Sequence, residues 1–257
     1  MGPLVVPARG NRIMADYVLR VGSSTAQGAR TNNEDRYVVD LVNNLFLVAD
    51  GMGGQERGEL ASGLAAEIIP RVVHDRLAAH AGASQAVQQA LTEANQAIVR
   101  AGQNQPAGRR MGTTAVLAVQ DANQIYVTGL GDSRAYLIRG DRVEQLTVDH
   151  SVAQALVASG VLSPEEARHS PWQNVLHRFL GCAEMVEGAE VRPFTPQAGD
   201  RLLLASDGLT NHITEADLRQ GKSQRDAQAW AEHLVQTALD RGSRDNVTCI
   251  VVAFDPE

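Results

Sequence analysis

Apolar and polar positions change their period several times along this chain of 257 residues. The runs Tyr17 to Ser24, Arg36 to Leu41 and Leu45 to Ala49 are short, rich in β-branched and large apolar residues, and read as strands. From Glu56 to about His80 the period lengthens. Leu60, Leu64, Ile68, Val72 and Leu77 recur at helical spacing, and Pro70 is expected to kink or divide that helix. A second helix is expected from Ser84, as its N-cap, through Val87, Leu91, Ala94 and Ile98 to about Ala101. Residues 102–110 read as a polar loop.

Four strand-like runs follow in close order: Thr114 to Val119, Gln124 to Gly129, Arg134 to Arg139 and Arg142 to Leu146. Their hairpin-length separations, with Gly140-Asp141 as a turn signal, predict antiparallel pairing. Ser151 to Gly160 reads as a short helix, and Ser163-Pro164-Glu165-Glu166 has the form of a capping box with proline at the first helical position. Strands at Ala189 to Phe194 and Arg201 to Ala205, a helix from about Arg225 to Leu239 and a strand from Val247 to Phe254 complete the pattern. Strands come in antiparallel groups and helices in pairs, which excludes a strictly alternating parallel sheet. The expected fold class is α+β: a four-layer sandwich of two stacked antiparallel sheets with helices on both outer faces. No linker rich in Pro, Gly or Ser divides it.

Composition narrows the function. A formal net charge of -7 without a long basic run lacks the electrostatic footprint of a nucleic-acid binder. The two cysteines, Cys182 and Cys249, form no CxxC, so neither a zinc cluster nor a disulfide framework is indicated. The stretch Met1 to Met14 has only a short apolar piece broken by prolines; it fits neither a signal peptide nor a membrane span, and is expected to be a flexible lead-in at 1–14. No contact with a membrane is expected, and the expected location is cytoplasmic.

The apolar strand at Leu45 runs straight into Asp50-Gly51, and that at Arg201 into Asp207-Gly208. A carboxylate at the inner end of a buried strand is costly to desolvate unless a cation or hydrogen bonds compensate it. Asp132 follows another strand, and Asp245 opens the last. Each Asp taken alone reads as a turn former; together they read as an oxygen-rich site for hard cations such as Mg²⁺ or Mn²⁺. Gly51 could add a backbone carbonyl. In RTNNED, Arg30 precedes Glu34 and Asp35. An arginine there is either a salt-bridge partner of the carboxylates or a bidentate fork for phosphate, and spacing does not decide.

The segments RTNNED, VADGMGG, MGTTAV, GLGDSRAY, LTVDHS, LLLASDGLT and SRDNVT, in this order between about Tyr17 and Phe254, resemble the metal-dependent protein phosphatases of the type 2C family, in particular the bacterial serine/threonine phosphatases with DGMGG. The resemblance implies one catalytic domain at 15–257 with a flap at about 151–181. It implies hydrolysis of phosphoserine and phosphothreonine in phosphorylated proteins, substrates of a serine/threonine kinase, by direct attack of a metal-bridging water. Asp50 would bridge two Mn²⁺ or Mg²⁺ ions, with the Gly51 carbonyl on the first and Asp207 and Asp245 on the second. Asp132 would bind a third, weaker ion shared with Asp207. Glu34 and Asp35 would hydrogen-bond waters on the ions, and Arg30 would hold the phosphate. Thr113 and Thr114 match a motif near the site or serve strand packing.

Two positions depart from the family. Many eukaryotic members have a histidine, thought to protonate the leaving oxygen, where this chain has Met52, and bacterial relatives often have one where Gln55 stands. His150, His169 and His177, in or beside the flap, read as loop or packing residues. Competing readings are a pseudophosphatase or partner-binding regulator, which loss of a metal aspartate would favour, and a sigma-factor-regulating serine phosphatase.

Overall fold

The computed structural model describes residues 17–54, 56–103, 111–182, 189–221 and 226–257. The lead-in at 1–14, Gln55 and most of the loop at 102–110 lie outside them. In chain order the elements are β1 (Tyr17–Ala26), β2 (Asp35–Asp40), β3 (Leu45–Met52), α1 (Glu56–Ala78), α2 (Ala83–Gln103), β4 (Gly112–Thr113), β5 (Ala115–Asp121), β6 (Gln124–Leu130), β7 (Arg134–Arg139) and β8 (Arg142–Gln145). They continue with α3 (Val152–Ala158), α4 (Pro164–Arg168), β9 (Arg192–Phe194), β10 (Arg201–Ala205), α5 (Asp207–Thr210), α6 (Glu215–Gln220), α7 (Ala227–Asp240) and β11 (Val247–Pro256).

One sheet has the order β1-β11-β10-β7-β8; the other has β2-β3-β5-β6-β9, with β4 paired to the end of β3. The pairings are antiparallel throughout. Because successive side chains point to opposite faces of a strand, an uninterrupted apolar run marks a strand covered on both sides. Strand β3 shows this directly. Phe46 and Val48 join Val116, Val127, Leu202, Leu204, Ile250 and Phe254 between the sheets. Leu45, Leu47 and Ala49 face the other way, onto Ile69 and Val73 of α1 and Leu91 and Ile98 of α2. Across the molecule, Leu203, Ala205, Cys249 and Val251 meet Trp230 and Leu234 of α7. The order of layers is helix pair, sheet, sheet, helix, as the apolar pattern predicts.

Three local expectations are corrected. Helix α1 is not divided at Pro70, although nothing in its span excludes a bend there; proline forfeits one backbone hydrogen bond, while Ile69, Val72 and Val73, buried on either side of it, keep both halves on the sheet. The buried stripe of α1 is Ala61, Ala65, Ile68, Ile69, Val72 and Val73, whereas Leu60 is 44% exposed. Small alanines carry the stripe because the helix packs close to β3. Ser84 lies inside α2, which begins at Ala83, and so does not cap it. The capping box at Ser163 is present, with Glu166 reaching back to the Ser163 amide, and Ser151 caps α3.

The registers bring one set of strand ends together. Asp35 lies opposite Asp50, Ala115 opposite Leu130, Ala205 opposite both Arg134 and Cys249, and Ala26 opposite Val247. Every candidate aspartate therefore lies at the same end of the sandwich.

Candidate metal centre

A cleft of about 330 Å³ opens at that end, lined by Arg30, Glu34, Asp50, Gly51, Met52, Asp132, Asp207 and Asp245. Thr114 and Asn246 also line it, and so do Asn174, Leu176 and Phe179, from the segment expected to form a flap. Of the expected site residues only Asp35 is not on its wall. Asp35 is 4% exposed; its Oδ2 accepts a hydrogen bond from Ser206 at 2.9 Å, while its Oδ1 is buried without a partner among the described residues.

Backbone geometry fixes these groups. Asp50 is clamped by the two threonines: its amide donates to Thr114 Oγ1 at 2.9 Å, and its carbonyl accepts from the Thr114 amide at 2.8 Å and from Thr113 Oγ1 at 2.9 Å. Thr114 Oγ1 in turn lies 2.7 Å from Ser133 Oγ, next to Asp132. The two threonines thus serve the site and the strand packing at once. Glycines let α1 approach β3: a side chain at Gly51 would strike the Gly58 carbonyl, and one at Gly58 would strike the Glu34 carboxylate. The glutamate occupies the space those two residues leave.

Asn246 is a site residue that the strand-end pattern did not reveal. Its Oδ1 accepts from the Glu34 amide at 2.8 Å, and its Nδ2 donates to the carbonyls of Gln27 and Asn32 at 2.8 and 2.9 Å. It ties the RTNNED loop to the start of β11. A buried amide beside a strand-end aspartate was the available signal. Ser206 and Asn211 were also missed; Asn211 Nδ2 lies 3.4 Å from Asp207 Oδ2 and its Oδ1 accepts from Gln173 of the flap. Arg30, exposed at the rim, donates from Nη2 to Asp245 Oδ2 at 2.6 Å.

The electrostatics are those of crowded like charges. Burial, and then Asp35, Asp207, Asp132 and Asp245, push the Asp50 carboxyl well above the usual carboxylate range. Burial raises Asp35 to about 6 against the hydrogen bonds it accepts, and raises Asp132 to about 7 with Asp207 and Asp149 adding to the effect. Asp207 is raised by burial and by Asp245, with hydrogen bonding to Asp50 acting against them. Met52 brings a thioether to the cleft wall, a group with no proton to give. As placed, no three Asp, Glu, His or Cys side chains among the described residues converge on one point. The donor set nevertheless fits a divalent cation: its oxygens are all hard and its charges repel one another.

Comparison with known proteins identifies the family of the chain and its fold. The family model for protein phosphatase 2C matches residues 22–249. The serine/threonine phosphatase stp of Listeria innocua is 36% identical over 212 residues, covering 81% of this chain and 83% of that protein. The crystal structure of the Mycobacterium tuberculosis serine/threonine phosphatase PstP/Ppp superposes with a TM-score of 0.83 at 31% identity, over 92% of this chain and 99% of that one. The catalytic domain of PstP in complex with two manganese ions gives 0.80 at 30% identity, covering 92% and 98% of the two chains.

Proposed function

Since this chain belongs to the protein phosphatase 2C family, we propose that it is a metal-dependent protein phosphatase that hydrolyses phosphoserine and phosphothreonine in proteins phosphorylated by a serine/threonine kinase. The observation that carries this reading is the gathering of Asp50, Asp132, Asp207 and Asp245 around one cleft with an arginine at its rim. Asp50, Asp207, Asp245 and the Gly51 carbonyl would hold two ions, Mn²⁺ or Mg²⁺, and Asp132 with Asp207 a third. Bound there, such ions offset the carboxylate charge, polarise the phosphoryl oxygens and bring the pKa of a water from about 16 toward neutrality.

The chain's own groups supply the rest. Arg30 offers two parallel N–H donors to a phosphate oxygen pair, so it orients the substrate and must leave Asp245 to do so. Glu34 and Asp35 would accept hydrogen bonds from water and fix its orientation. The threonine clamp keeps Asp50 from moving as charge builds. Neither a serine nor a cysteine nucleophile is needed. Residues 15–257 act as one catalytic domain in this reading. Among the described residues no helix is long and apolar enough to cross a membrane.

The test is phosphate release from phosphoserine, phosphothreonine and phosphotyrosine peptides with Mn²⁺ and with a chelator. Release from the first two peptides, abolished by the chelator, is expected. A folded protein inert toward all three with saturating Mn²⁺ would return the chain to the pseudophosphatase reading.

A further inference from the structure

The turn that carries Asp132 has an anchor outside the carboxylates. The His150 amide donates to the Gly131 carbonyl at 2.8 Å, and the Gly131 amide donates back to Nδ1 of the His150 ring at 3.2 Å. Gly131 stands at φ +98°, a conformation that favours glycine, and a side chain there would collide with Thr114. Gly131 therefore contributes no side chain of its own to hold the turn. On its other side, the His150 carbonyl accepts from the His177 amide at 3.0 Å, and the two rings meet edge to face with centroids 5.9 Å apart. His177 lies between Leu176 and Phe179, two flap residues that line the cleft. One residue thus grips the Asp132 turn through backbone and ring while it grips the flap through its carbonyl.

We propose that His150 is a positioning residue for Asp132: its amide and Nδ1 fix the Gly131 turn, and with it the direction in which the Asp132 carboxylate enters the cleft. Acceptance at Nδ1 needs a neutral ring with its proton on Nε2. Burial, with Arg178 and His177 nearby, pushes the imidazole down to about 4, so the ring is neutral at physiological pH. The kinetic part of the proposal rests on the phosphatase reading; the structural part does not.

The test compares wild type with His150→Asn, whose amide oxygen can stand where Nδ1 does, and His150→Leu, which keeps bulk but offers no acceptor. Two readouts are taken: kcat/KM on a phosphothreonine peptide with saturating Mn²⁺, and hydrogen exchange of the Gly131–Asp132 segment in chelator-treated protein. His150→Leu should lose about tenfold or more in kcat/KM and exchange faster at that segment, while His150→Asn stays within about threefold of wild type. Wild-type behaviour of His150→Leu in both readouts overturns the proposal, and so does a folded His150→Asn as impaired as the leucine variant. If His150→Leu does not fold, His150→Asn alone decides. If wild type itself releases no phosphate, the phosphatase reading fails and the exchange comparison still decides the role of His150.

Discussion

Asp35 and Asp50 stand directly opposite each other across β2 and β3. Like charges at opposed positions weaken a sheet, and here Asp35 is also buried, held up to about 6, with Asp132 nearby up to about 7. Folded-state pKa values raised above the unfolded value, near 4, mean that the folded protein binds more protons. Their contribution to stability is present below about pH 4 and is lost as pH rises through about 6 to 7. Thermal unfolding in chelator should therefore show Tm falling between about pH 5 and pH 8, with a shallower fall in Asp132→Asn. Mn²⁺ should restore Tm chiefly at the upper end. A flat or rising Tm in chelator, equal in the two proteins, would refute the charge crowding.

Asp50→Ala and Asp207→Ala should abolish activity and leave the fold intact. Removing a carboxylate that would hold an ion forfeits about 4 kcal/mol of transition-state stabilisation, roughly a thousandfold in rate. Because each substitution also relieves repulsion, Tm in chelator should hold or rise. Retention of more than about a tenth of wild-type turnover at saturating Mn²⁺ would remove that residue from the catalytic centre.

Arg30→Ala acts on two partners, since the guanidinium is bonded to Asp245 in the structure and would leave it for phosphate. Loss of a charge-assisted hydrogen bond costs about 1.5–3 kcal/mol, so kcat/KM should fall roughly ten- to a hundredfold. Mn²⁺ affinity, read by calorimetry, should not weaken, because a competing cation has gone. Unchanged kinetics would leave Arg30 with the salt bridge alone.

Met52 lines the cleft where a proton donor would serve a leaving alkoxide. A serine alkoxide benefits from a proton in the transition state, whereas nitrophenolate leaves without one. Met52→His should raise turnover of a phosphoserine peptide relative to nitrophenyl phosphate by up to about tenfold. Equal gains on both substrates would exclude a leaving-group role for that position.

The strands that sequence located best are those with both faces covered. Arg134–Arg139 and Arg201–Ala205 were placed to the residue, since an apolar run ended by charge or glycine has few alternative readings. Helix faces were harder. Leu60 outranks Ala61 in hydrophobicity but faces solvent, because close packing against β3 selects small side chains, a preference that periodicity alone does not express. Helices α5 and α6 are too short to show a period, though Thr214 and Asp217 form a capping box at α6. In the site, the carboxylates were legible because burying them is costly at any strand end. Asn246, Ser206 and His150 were not, because each acts through a partner far away in sequence: Glu34, Asp35 and Gly131.

Strand β11, the last in chain order, lies between β1 and β10 in its sheet, paired over ten residues with β1. Among the described strands β1 has no other partner, so its edge stays unsatisfied until β11 is in place. Asp245 and Asn246 arrive at the same moment, so the cleft acquires its final carboxylate and the RTNNED loop its tether in a single late event. A chain that lacks β11 has neither a continuous sheet nor a complete set of cleft carboxylates. Topology thereby ties completion of the cleft to the placement of a single strand.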